Sequence, residues 1–104
     1  MRPTTGEHSP DDRRTDYSAA VFPATFDPVT RGHVAIAERA ARVFPRLVLG
    51  VYAHPDGSAK SPLFTTAERV ALVREAVAHI PGAEVTSFAG LSIEFARGQG
   101  AGVI

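Results

Sequence analysis

The chain has 104 residues, 44% hydrophobic and 21% charged, which is the length and composition of one small globular domain. Its 11 basic and 11 acidic side chains cancel, so no broad field draws in nucleic acid or a membrane surface, and any bound anion must be held by local geometry. Without cysteine there are no disulfides, thiolate nucleophiles or thiolate-held zinc; with no long apolar run and no secretory leader pattern, cytoplasmic residence is the expectation.

Residues 1–17, MRPTTGEHSPDDRRTDY, carry charge, Pro, Thr and Gly and little to bury, and they read as a disordered extension. His8, Asp11-Asp12 and Arg13-Arg14 are solvated tail side chains on this reading. The folded domain is expected over 18–104. SAAVF, inside residues 18–23, is a short apolar run bounded by Pro23, the pattern of a buried strand. From His33 to Phe44, Ile36, Ala37, Ala40 and Phe44 recur at helical spacing, and Pro45 ends the helix. LVLGVY (47–52) is a second strand, and AHPDGSAKSPLF a loop by its Pro, Gly and Ser content.

Thr65-x-x-Glu68 is a capping box, in which the Thr oxygen accepts from one free helix N–H and the Glu reaches back to another. The helix it opens carries Val70, Val73, Val77 and Ile80 as a core stripe, and Pro81-Gly82 stops it. AEVTSF (83–88) is a third strand, Ser92–Gln99 a short third helix, and GVI the start of a fourth strand. The order β-α-β-α-β-α-β predicts a three-layer α/β domain with a parallel sheet and right-handed connections.

The segment between the first strand and first helix, TFDPVTRGH, is longer than a turn and a cap require. In open parallel sheets ligands bind beyond the carboxyl ends of the strands, where helix N-termini present free N–H groups and a positive dipole to phosphate. Neither GxxxxGK[ST] nor GxGxxG occurs here, so side chains must share the task with backbone. Thr25 offers a hydroxyl and His33 an imidazole donor. Asp27 reads as a loop brace, hydrogen-bonding backbone rather than acting as a base.

TFDPVTRGH resembles the nucleotidyltransferase signature, a G-[TS]-F-D-P strand end followed by [HT]-x-G-H. KSPLFTTAERVALVREA and FAGLSIEFARGQGAGVI extend the resemblance over about residues 18 to 104, and within the superfamily it is to the phosphopantetheine adenylyltransferase family. The resemblance implies an α/β, Rossmann-like nucleotidyltransferase fold with a parallel sheet, truncated after the start of the fourth strand. It implies adenylyl transfer from ATP to 4′-phosphopantetheine, with Mg2+ accompanying the nucleotide, and a homo-oligomer, a hexamer, for the full-length family. It assigns Thr25 to both substrates, the Phe26 backbone to ATP, and His33 to charge on the phosphate in the transition state. Lys60 is assigned to the acceptor phosphate and the transferred group, and Ser92 to the pantetheine channel, although Ser92 serves equally as a cap for the third helix.

Two departures stand out. Ala24 replaces the family's usual Gly, adding a methyl where backbone approaches phosphate and disfavouring an unusual φ. The chain also stops at Ile104, before the family's Arg-Gly-Leu-Arg motif and Ser-rich loop, so it reads as the N-terminal part of a longer enzyme and is not expected to be competent alone. His54, beside Pro55 and Asp56, is weak ground for a metal. His79, near a helix C-terminus, suits the helix dipole.

Overall fold

Four short apolar segments pair into one parallel sheet because each is bounded by a turn residue and separated from the next by a helix long enough to cross over. The computed structural model describes residues 16–53 and 63–104. Its elements run β1 (Asp16–Ala24), α1 (Arg31–Val43), β2 (Arg46–Tyr52), α2 (Thr66–Ala76), β3 (Ala83–Phe88), α3 (Ser92–Gly98) and β4 (Ala101–Val103). The strand order is β3-β2-β1-β4, all parallel. The expected architecture is therefore present, including the fourth strand.

Each face of the sheet has its own core. Ala20, Leu47, Leu49 and Val51 pack with Ala37 of α1 and Val73 of α2, together with Val77 and Ile80. On the other face Val21 and Val48 pack with Ala96 of α3, supported by Phe95 and Ala101. The alternation follows from the two-residue period of a strand in register, Ala20 opposite Leu47 and Val21 opposite Val48. Gly50 is needed on the α3 face: a Cβ there would stand 2.5 Å from the Phe95 ring. Gly82, with φ +82°, makes the turn into β3 beside the Pro45 carbonyl, a conformation that favours glycine.

Some boundaries differ from the sequence reading. β1 starts at Asp16, so Asp16 and Tyr17 belong to the sheet rather than to the extension. Backbone pairing of Asp16 with Ala101 accounts for this, and it requires no side-chain burial. α1 begins at Arg31, since Thr30 is its cap. α2 ends at Ala76, and Val77 and Ile80 are buried from the following turn rather than from the helix, ahead of Pro81-Gly82. β4 spans 101–103 rather than 102–104. Among the described residues no helix is long and apolar enough to cross a membrane. His8, His54 and Lys60 lie outside the described residues.

The connections position the site. From β1 the chain steps to β2 and β3 on one side, then returns to β4 on the other side of β1, with α1 and α2 on one face and α3 on the opposite face. That reversal is a topological switch point, and a crevice opens there beyond the carboxyl ends of the strands. The end of β1 feeds directly into it.

Candidate active site

β1 ends at Ala24, opposite Val51, in ordinary strand backbone, so the expected φ conflict at Ala24 does not arise. The unusual conformation falls two residues later. Phe26 has φ 53°, in the left-handed region that costs a non-glycine residue roughly 1–2 kcal/mol. Its ring is 2% exposed and packs edge-on against Phe22 (5.4 Å between centroids) and His33 (4.8 Å). Burying that ring offsets the backbone cost and turns the chain out of the sheet.

The TxGH segment is itself a capping box. The Thr30 hydroxyl accepts from His33 N–H at 3.3 Å, and His33 Nδ1 accepts from Thr30 N–H at 2.9 Å. A ring nitrogen that accepts carries no proton, so in the neutral imidazole this network places the proton on Nε2. The cap therefore fixes the ring's orientation and its tautomer together, leaving Nε2–H as a donor. No acidic residue occupies the first turn of α1, and its positive end stays uncompensated by the chain's own side chains.

Asp27 braces the loop through side chain-to-backbone bonds, as read from sequence, but its partners are far along the chain. Its carboxylate accepts from Leu63 N–H (2.7 Å) and Phe64 N–H (3.1 Å), tying the segment that leads into α2 to the end of β1. The Asp27–Pro28 peptide is cis.

Pro23, Ala24, Thr25, Tyr52, Phe88, Gly90 and Ser92 line a cleft of about 260 Å³ at the strand ends. Thr25 and Ser92 thus meet where the sequence reading puts them. Ser92 does not cap α3: the cap position is Leu91, with no side-chain cap bond. Tyr52 and Phe88 add an aromatic wall, their rings 5.5 Å apart, that the sequence reading left unassigned. His33 stands on the α1 side of the same strand end, against Phe26, and is not part of the cleft lining. Two larger hollows flank α1 away from the strand ends. In one of them His79 Nε2 pairs with Glu38 Oε2 at 2.7 Å; since α2 stops at Ala76, this pairing replaces the expected dipole role of His79.

Arg69 is the residue most clearly missed. It is 1% exposed and donates to the carbonyls of Phe64 (3.1 Å), Thr25 (2.8 Å) and Tyr52 (2.9 Å), and to the Thr66 hydroxyl (3.0 Å). Burying a guanidinium is tolerated only when its donors are satisfied, and these four bonds do so. A signal was present: Arg69 sits one turn before Val73 and two before Val77, on the buried face of α2.

Comparison with known proteins agrees with this geometry. The cytidylyltransferase-like family model matches residues 21–104. The chain is 47% identical over 85 residues to a phosphopantetheine adenylyltransferase of Thermomicrobium roseum, covering 82% of this chain and 51% of that protein. It is also 47% identical over 87 residues to a phosphopantetheine adenylyltransferase of Heliobacterium modesticaldum, covering 84% of this chain and 50% of that one. The chain spans about half the length of the curated relatives it matches.

Proposed function

This chain belongs to the cytidylyltransferase-like family, and from that premise we propose that it supplies the phosphate-handling half of an adenylyltransferase acting on ATP and 4′-phosphopantetheine. The products are dephospho-coenzyme A and pyrophosphate. The observation that carries the proposal is the capped imidazole: His33 Nδ1 is held by Thr30 N–H at 2.9 Å, so Nε2–H faces the loop as a fixed donor. The names of the two relatives supply the substrate class.

In this reading the acceptor phosphate attacks the α-phosphorus of ATP in line, and the protein contributes no nucleophile. Thr25 orients phosphate oxygens at the end of β1. His33 donates where negative charge grows, and the α1 N-terminus neutralises it; stabilisation of this type and positioning make up most of the catalysis. Lys60 is proposed to meet the acceptor phosphate, and Ser92 to line the pantetheine path alongside Tyr52 and Phe88. Magnesium enters with the nucleotide as part of the substrate. Among the described residues no group of three or more His, Asp or Glu could hold it, and the Asp27 oxygens are engaged by Leu63 and Phe64. Cytoplasmic residence and a hexameric assembly are part of the same proposal, drawn from the family resemblance.

The test is pyrophosphate release from ATP with 4′-phosphopantetheine, nicotinamide mononucleotide or glycerol phosphate as acceptor, repeated with CTP as donor. It is run on a chain carried to the relatives' length and on the 104 residues alone. Preference for ATP and 4′-phosphopantetheine, confined to the longer form, is expected. Preference for another pair moves the assignment to another nucleotidyltransferase of this fold, and binding of 4′-phosphopantetheine without turnover in the longer form moves it to a silent binding module.

A further inference from the structure

Parallel pairing fixes which carbonyl each strand amide meets. Leu47 N–H donates to Gly82 and Ala53 N–H to Phe88, so the odd residues of β2 turn toward β3 and the even ones toward β1. With Ala24 opposite Val51, the next rung of the β1–β2 ladder is Phe26 N–H to the Tyr52 carbonyl. That rung is missing. Arg69 Nη1 occupies the Tyr52 carbonyl at 2.9 Å and takes the Thr25 carbonyl at 2.8 Å with the same nitrogen. The Phe26 amide has no hydrogen-bond partner among the described residues.

The consequence follows from peptide geometry. Across a trans peptide the C=O and N–H point in opposite directions. A guanidinium that is 1% exposed draws the Thr25 oxygen inward, so the Phe26 N–H is turned outward at the end of β1. The guanidinium is itself fixed by Phe64 O and Thr66 Oγ1 and cannot follow the loop. Its acceptors among the described residues are three carbonyls and a hydroxyl, with no carboxylate, so a full positive charge lies beneath the loop.

We infer that Arg69 is a positioning residue: it ends the β1–β2 ladder one rung early and holds the Phe26 amide open for a phosphate oxygen of the nucleotide. The inference rests on the adenylyl-transfer reading for the identity of the nucleotide. An arginine that merely ties α2 to the sheet would affect stability and leave the state of this one amide unchanged.

The test is amide NMR and hydrogen exchange at Phe26 in a chain carried to the relatives' length, with ATP and, separately, inorganic pyrophosphate as probes. In the unliganded wild type the Phe26 amide is expected to exchange without protection, while the Ala24 amide is slow, and its signal is expected to shift with either probe. Arg69→Met frees the Tyr52 carbonyl. The rung then closes, Phe26 gains protection, and ATP affinity falls roughly ten- to a hundredfold, with a smaller change for 4′-phosphopantetheine. Arg69→Lys keeps the charge but not the planar fork, and is expected to fall between the two.

A protected Phe26 amide in the wild type overturns the inference, and that measurement depends on no variant folding. Unchanged ATP affinity in either variant also overturns it. Turnover to dephospho-coenzyme A with no shift at Phe26 leaves the functional reading standing and removes this one. A shift with ATP but no transfer to 4′-phosphopantetheine does the reverse.

Discussion

Helices α1 and α2 open with the same device and put it to different use. At α1 the Thr30 hydroxyl accepts from His33 N–H at 3.3 Å; at α2 the Thr65 hydroxyl accepts from Glu68 N–H at 3.1 Å. In return His33 Nδ1 and Glu68 Oε1 each accept from the threonine N–H at 2.9 Å. The backbone is served alike in both places. A carboxylate only accepts, and Glu68 also places negative charge against the positive end of α2. An imidazole that accepts at Nδ1 keeps a donor at Nε2, and α1 has no acidic residue in its first turn. One helix end is neutralised from within, and the other is left open for an anion with a donor beside it. The comparison separates capping from catalysis within a single motif.

His33→Ala and His33→Glu break the comparison most strongly. In a chain carried to the relatives' length, His33→Ala removes both functions. Turnover is expected to fall about 100- to 1000-fold, the scale of one transition-state donor, with stability lower by about 1 kcal/mol from the lost cap. His33→Glu rebuilds the acceptor side of the box as at Glu68 and restores that stability. It supplies no donor and sets a negative charge at the phosphate site, so turnover is expected to stay as low as in His33→Ala. Pyrophosphate release and thermal unfolding of both variants check this. Recovered turnover in His33→Glu would mean that capping alone explains the motif.

Much of this was legible in the sequence where signals are local. AEVTSF is β3 to the residue, Ala83–Phe88, because turn residues bracket it, and Thr65-x-x-Glu68 is the box that opens α2. Thr25 and Ser92 reach one cleft because strand and helix ends lie at a single sheet edge. Thr30-x-x-His33 has the spacing of the α2 box, yet the sequence reading took its histidine only as a phosphate ligand. The rest depended on distant partners. The Arg69 acceptors at Tyr52 and Thr25 lie 17 and 44 residues away, the Asp27 partners 36 and 37 away, and the extra length of β1 depends on pairing with β4. No periodicity encodes such contacts, nor the positive φ of Phe26, which follows from where its ring is buried.

Glu68→Ala sharpens the comparison from the other side. It removes the reciprocal bond to Thr65 N–H and the charge at the α2 terminus, while Thr65 Oγ1 still accepts from the amide at position 68. The expected cost is about 1 kcal/mol, measured by urea unfolding. Turnover per folded molecule should be unchanged, since Glu68 faces solvent and lies outside the cleft lining. A fall in turnover comparable to that of His33→Ala would show that both helix ends serve the reaction.

The smallest effect is expected from Glu68→His, which copies the α1 box onto α2. His33 shows that an imidazole at this position reaches the threonine N–H at 2.9 Å, the same separation as Glu68 Oε1 from Thr65 N. The reciprocal bond is therefore kept in the neutral imidazole. What is lost is the carboxylate charge against the α2 dipole, worth about 0.3–1 kcal/mol at an exposed terminus and weakened by salt. Unfolding at low and high ionic strength isolates that contribution: the gap to wild type should narrow as salt is added, because the remaining hydrogen bond is local and poorly screened. The new Nε2–H faces no phosphate at α2, and turnover should match wild type. A gap that persists unchanged in high salt would instead mean that histidine caps less well than glutamate, and that α1 gives up helix stability in order to aim its donor.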